Sequence, residues 1–284
     1  MHIFDFLNTR EIDPIKEFNR IELLLNETSI PYVLHNKISL KEWLNKEAFR
    51  DISIRRSFTD IDDLLQGIDV YDSKRHLKFT DIEECYGQLY LYCESLLNIF
   101  SQSHEFYRSN DKVCKVVKHI SDNIKEIIEK TGCKLCNNDE GIIIVENNYI
   151  ATEAIECIKD DVSLAFAIME YNRMTNKGNI KRKRDILRQL AAYTEPWNND
   201  FKDTTYDKLY NDSRFLVNEI DIRHNNKESS KDIFTDGWTQ KDYETWYDKT
   251  YHTILMVIIA RKQLAIAEEI KKLKKKKISN PIIK

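Results

Sequence analysis

Ile82-Glu83-Glu84-Cys85-Tyr86-Gly87-Gln88-Leu89-Tyr90-Leu91-Tyr92-Cys93-Glu94-Ser95-Leu96-Leu97-Asn98-Ile99-Phe100 carries an apolar stripe at Ile82, Cys85, Tyr86, Leu89, Cys93, Leu96, Leu97 and Phe100. Steps of three and four residues put these side chains on one face of an α-helix and scatter them over both faces of a strand. Thr80-Asp81-Ile82-Glu83 in front of them has the form of a capping box. A second stripe, Val113, Val116, Val117, Ile120, Ile124, Ile127 and Ile128, starts near Asn110 and stops at Gly132. Glycine there suits the left-handed position that ends a helix. Two long amphipathic helices in succession make the fold class all-α.

Working outward, Asp13-Pro14 opens a first helix, with Asp as N-cap and Pro at the first helical position, and Ile15, Phe18, Ile21, Leu24 and Leu25 as its stripe. Ser39-Leu40-Lys41-Glu42 is a capping box before a short helix, and Phe49 to Ile61, lacking a clear period, reads as irregular. The one β signal is Cys133–Cys136 and Ile142–Val145 around the turn Asn137-Asn138-Asp139-Glu140-Gly141, which predicts a small hairpin lying against helices. Helices follow at 152–158, 162–174, from Asn179 to before Pro196, and from about Thr204 to Arg223. A polar loop from His224 to Gly237 leads to a last helix capped by Thr239 with Asp242 three residues on. Its stripe is Tyr243, Trp246, Tyr247, Thr250, Tyr251, Ile254, Leu255, Ile258, Leu264, Ala267 and Ile270. The organisation expected is a helical extension over residues 1–79 and a helical domain over 80–284, with the hairpin at about 133–146 inside it.

Only 6 glycines and 4 prolines punctuate 284 residues, too few for a sandwich or a doubly wound sheet. The chain is 42% hydrophobic and 32% charged, which fits a packed core and excludes general disorder. The longest apolar run, Ile254 to Ala260, is far short of a bilayer span, and Met1-His2-Ile3-Phe4-Asp5 does not open a secretory signal. A cytoplasmic protein without a membrane partner, its six cysteines reduced, is the expectation.

Cys133-Lys134-Leu135-Cys136 has half the spacing of a zinc site, but no second pair or matched histidines complete it, so neither metal nor cofactor is expected. Two stretches are basic: Lys181, Arg182, Lys183, Arg184 and Arg188, beginning just after Lys177, and the run Lys271, Lys272, Lys274, Lys275, Lys276 and Lys277. Each reads either as a phosphate-tracking surface or as a solvated helix face. Asn218-Glu219-Ile220-Asp221-Ile222-Arg223-His224-Asn225-Asn226 sits where a helix gives way to a polar loop. Arg223 offers a fork of donors suited to phosphate, His224 titrates near neutrality, and Asn225 and Asn226 supply positioning amides. The same residues also make an ordinary helix C-terminus, where cations favour the macrodipole.

A helix ending in a polar Arg-centred motif, then a polar loop, then a long final helix, resembles the C-terminal half of a HEPN domain. The resemblance covers about 160–273 and more loosely the helices from Thr80 to Thr131. It implies a HEPN-like helical bundle of the bacterial abortive-infection and toxin branch, acting on RNA without metal. It further implies a homodimer whose protomers share the site, and a cognate antitoxin as a partner. Arg223 and His224 match the family's Arg and following polar residue. Its second histidine falls at Glu228, Ser229 or Ser230. Two readings follow: a ribonuclease in which Arg223 holds the scissile phosphate, His224 is the acid or base, and Asn225 and Asn226 orient substrate; or a catalytically inactive module that binds a nucleotide or a protein.

Overall fold

The first stripe is helical from end to end: Ile82–Gln102 is one helix, and Cys85, Leu89, Cys93, Leu96, Leu97 and Phe100 are buried along it. The computed structural model describes residues 12–70, 82–138, 141–158, 160–223 and 235–279. The fold is all-α with small β-hairpins. The chain divides into two compact units, one from Met1–Asn147 with Arg173–Thr175, the other from Asn148–Asn172 and Asn176–Lys284. Residue 79, the expected end of an extension, falls inside the first unit, and helices on both sides of it share one core.

In the first unit, α1 (Pro14–Asn26) starts on Asp13, whose carboxylate accepts from the Ile15 and Lys16 amides. Phe18, Ile21 and Leu25 face the core. Next come strands β1 (Thr28–Pro31) and β2 (Lys37–Ser39), an antiparallel pair that the sequence does not announce. Their connection turns through Leu34 and His35 at φ 57° and 65°, without the Gly or Asn that usually signals such backbone. Helix α2 (Leu40–Glu47) is capped as expected, Ser39 Oγ accepting from the Glu42 amide at 3.1 Å. Residues 49–61, expected to be irregular, are single 3₁₀ turns at Phe49–Asp51 and Ser53–Arg55 followed by helix α3 (Ile61–Gly67). The helix signal there lay in its cap, Asp60, which accepts from the Asp63 amide at 2.8 Å.

Helix α4 (Ile82–Gln102), the single turn α5 (His104–Tyr107) and helix α6 (Asp111–Lys130) complete this core, α6 capped by Asn110 and ended at Gly132 with φ 73°. The box at Thr80-Asp81 lies outside the described residues. The expected hairpin is present as β3 (Cys133–Asn138) and β4 (Gly141–Glu146), antiparallel in continuous register from Cys133↔Glu146 to Asn138↔Gly141. Polar side chains of α4 attach it. Asn98 accepts from the Ile142 amide at 2.8 Å and donates to its carbonyl at 2.7 Å, while Glu94 accepts from the Ile144 amide at 3.0 Å. Asn98 thereby acts as a one-residue neighbouring strand, and backbone that would otherwise be an open sheet edge is satisfied. Arg173 pairs with Glu94 and bridges to Val145.

The second unit contains α7 (Tyr149–Cys157), α8 (Val162–Tyr171), α9 (Ile180–Thr194), the short α10 (Asn198–Phe201), α11 (Asp207–Glu219) and α12 (Gln240–Ser279). Asn148, Asp161 and Asn179 cap α7, α8 and α9 through side-chain oxygens. Thr239 and Asp242 bond to each other at the start of α12, as their spacing predicts. The core gathers Leu187 and Leu190 of α9, Tyr210 and Val217 of α11, and Tyr247, Tyr251, Ile254, Leu255 and Ile258 of α12. Its last buried residue on α12 is Ala260, although the helix runs on; its 40 residues span about 60 Å at 1.5 Å each. Among the described residues no helix is long and apolar enough to cross a membrane.

Candidate functional site

Helix α11 stops at Glu219 because the chain leaves helical space at Asp221, φ 60°. Ile220 and Ile222 flank that residue and are both fully buried, so the two isoleucines pin the segment into the core of the second unit. Asp221 between them is only 8% exposed. A buried carboxylate needs a cation or donors. Arg184 supplies one, its Nη1 lying 3.2 Å from Asp221 Oδ2. One turn further along α9, Arg188 donates from Nε to the Ile222 carbonyl. The basic helix and the Arg-centred motif, read separately from the sequence, are therefore one locality.

Arg223 emerges from this anchor exposed. Its Nη2 lies 2.5 and 2.6 Å from the two carboxylate oxygens of Glu195, in the 3₁₀ turn after α9. Arg214 of α11 reaches the same carboxylate at 3.5 Å. Arg223's hydrogen bond is the largest influence on Glu195 and, outweighing a small burial effect, holds its carboxyl below the ordinary value. Glu195 and Arg214 were not marked by sequence reasoning. Arg214 and Asn218 do stand four apart, on the face of α11 that leads into the motif.

The remaining basic residues point elsewhere. Lys183 is 5% exposed and faces inward, Nζ lying 2.7 Å from Glu244 Oε1 and 2.8 Å from Asp248 Oδ1, above the ring of Tyr171. Arg182 makes a two-pronged pair with Glu170, 2.6 Å on each arm. Lys181 is exposed to solvent. Of the basic stretch, then, Arg184 and Arg188 meet the motif, Lys181 faces water, and Arg182 and Lys183 serve the packing of α8, α9 and α12. His224, Asn225 and Asn226 lie outside the described residues.

Lys183 sits in the larger polar network of the unit. Tyr171 donates to Asp248 at 2.9 Å and stacks on Tyr251 with centroids 3.9 Å apart. Burial first, and the Asp248 charge second, push the Tyr171 hydroxyl far up, so it stays a neutral donor. Burial also raises Glu244, but the Lys183 ammonium and the Gly178 amide outweigh it and leave its carboxyl lowered. Buried hydrogen-bonded charges of this kind fix one packing arrangement.

No group of His, Cys, Asp and Glu able to hold a metal ion occurs among the described residues, and the six cysteines are free thiols. No family model matches the sequence, and no curated protein or solved structure matches it.

Proposed function

We propose that this chain is a HEPN-like RNA-directed protein of bacterial defence or toxin type, working through the segment that ends in Arg223. The observation that carries the reading is that Arg184 and Arg188 hold residues 221 and 222 while Arg214 and Arg223 meet on Glu195, with Arg223 at the surface. Guanidinium groups held by a rigid helix make a phosphate-binding locality. The Glu195 pair does not close it. An exposed ion pair is worth about 0–1 kcal/mol, so an RNA phosphate can compete with the carboxylate for Arg223.

In the catalytic form of the proposal, Arg223 holds the scissile phosphate and His224 takes the proton of the adjacent 2′-hydroxyl. The 2′-oxygen bonds to phosphorus as the 5′-oxygen leaves and is protonated, giving a 2′,3′-cyclic phosphate and a 5′-hydroxyl. Asn225 and Asn226 would orient substrate. A homodimer sharing this site, and an antitoxin covering it, belong to the same proposal. Incubating the purified chain with RNA and analysing the product ends tests it. Cyclic phosphate ends that disappear with Arg223→Ala are expected, and intact RNA at high protein concentration sinks the catalytic form.

One observation favours the second reading, a catalytically inactive module for nucleotide or protein. Arg223 is engaged by Glu195, and the family's second histidine is replaced by Glu228, Ser229 or Ser230. RNA or nucleotide binding that depends on Arg223, without cleavage, is the outcome that selects it.

A further inference from the structure

Helix α12 outlasts the core it belongs to. From Arg261 to Lys275 every side chain is exposed except Leu264, which is half-buried. Within that stretch Ile266, Ile270 and Leu273 are 38%, 45% and 65% exposed. Steps of four and three residues put them on one face of the helix. Exposed Met256 and half-buried Ile259 continue the same stripe back toward the folded body. Around it the chain is strongly basic: Lys271, Lys272, Lys274 and Lys275 are all exposed, in a run, 271–277, that holds six lysines in seven positions. Lys274 borders the apolar face, while Lys271, Lys272 and Lys275 lie round toward the opposite side.

We infer that this end of α12 is an interfacial helix that docks on an anionic lipid surface. A narrow apolar stripe with Lys274 at its border and Lys271, Lys272 and Lys275 on the polar face has the make-up of an interfacial helix, hydrocarbon taking the stripe and an anionic surface drawing the cationic side. The long stem of Lys274 beside the stripe can reach outward while its methylenes cover apolar ground. The helix lies on the bilayer and does not span it, which accords with the absence of a spanning helix among the described residues.

Two other occupants fit the chemistry less well. Paired with a second copy, the stripe offers Met256, Ile259, Ile266, Ile270 and Leu273 with Gln263 in the seam, about two and a half heptads and short of the three to four that hold a coiled coil. Lysines would crowd its last turns. A nucleic acid would use the lysines but leave the stripe in water.

The test is co-sedimentation of the full chain with phosphatidylcholine vesicles, with and without phosphatidylglycerol. Binding is expected only to the phosphatidylglycerol vesicles and should weaken with salt. Reversing Lys271, Lys272, Lys274 and Lys275 to Glu should lower partitioning about a hundredfold or more. Changing Ile266, Ile270 and Leu273 to Ser should lower it about tenfold or more. Both variants alter exposed side chains only, and their melting temperatures should match the parent. Three results overturn the inference: no binding to anionic vesicles, equal binding to neutral ones, or unchanged binding by the Ser variant. A parent that ignores vesicles but forms a dimer broken by the Ser variant assigns the stripe to a second copy instead.

Discussion

Arg223 and Glu195 form a close ion pair, one guanidinium nitrogen lying 2.5 and 2.6 Å from the two carboxylate oxygens, across the gap between the end of α11 and the turn after α9. Both side chains are a little over a third exposed. The pair thus holds Arg223 in place without burying it, and its replacement separates structural from functional roles. Arg223→Ala should cost less than about 1 kcal/mol in urea unfolding, yet weaken RNA binding or abolish cleavage. Glu195→Gln should raise RNA affinity by freeing Arg223. Unchanged affinity in both variants would return the pair to a plain helix-terminal contact.

Acid should loosen the same contact. Glu195 has a carboxyl lowered from the ordinary 4.5, chiefly by the hydrogen bond from Arg223. The folded state therefore binds the proton less readily than the unfolded chain. The stabilisation is fully present above the ordinary Glu value and is lost as pH falls below it. A melting temperature that drops less between pH 5 and pH 3 in Glu195→Gln than in the parent is the expected outcome.

Lys183 should behave as a core residue. Lys183→Met strands Glu244 and Asp248 beside an apolar side chain, at a cost of about 2–4 kcal/mol, allowing for the part-exposure of both carboxylates. Lys181→Ala, in the first turn of the same helix but exposed, should stay within about 0.5 kcal/mol. Chemical denaturation distinguishes them. A combined Ala replacement of residues 182–184 would lose RNA binding through unfolding, so it is no probe of phosphate contact.

The hairpin should depend on Asn98. Asn98→Ala removes both hydrogen bonds to Ile142 and leaves part-buried backbone groups unsatisfied, at about 1–3 kcal/mol. Amide exchange at Ile142 and Ile144 should quicken before the rest of the unit is affected. Gly141→Ala should also fail to fit, because its backbone has φ +128° and an added Cβ would stand 2.2 Å from Asn98 Oδ1. Protection unchanged in Asn98→Ala would refute the strand-like role of this side chain.

Burial raises the thiol of Cys136 above its ordinary value, against a smaller opposing effect of Lys134. Its alkylation by iodoacetamide at neutral pH should therefore run slower than that of a free cysteine, speeding as pH rises past 9. Fast alkylation at pH 7 would show a thiolate that this environment does not support.

Local rules read from the sequence carry through wherever neighbouring residues alone decide the outcome. Asp13, Ser39, Asn110 and Asn179 cap helices because the oxygen and the amide it satisfies are two or three residues apart. Cys85, Leu89, Cys93, Leu96, Leu97 and Phe100 of the α4 stripe and Val113, Val117, Ile120, Ile124, Ile127 and Ile128 of the α6 stripe are buried because their period is that of the helix. Chain-local signals fail at β1 and β2, whose strands are too short for a pattern and whose turn uses Leu34 and His35 in place of glycine. The basic run on α9 could not be apportioned from its spelling. Which of Arg182, Lys183, Arg184 and Arg188 meets a carboxylate depends on Glu170, Glu244, Asp248 and Asp221, brought in from other helices. Sequence by itself determined the longer helices, the caps at Asp13, Ser39 and Thr239 and the β3–β4 hairpin, since those interactions close within a few residues. Only the tertiary structure decided that the basic helix grips the Arg223 segment and that Glu195 holds its guanidinium, because charge pairing follows distance in space.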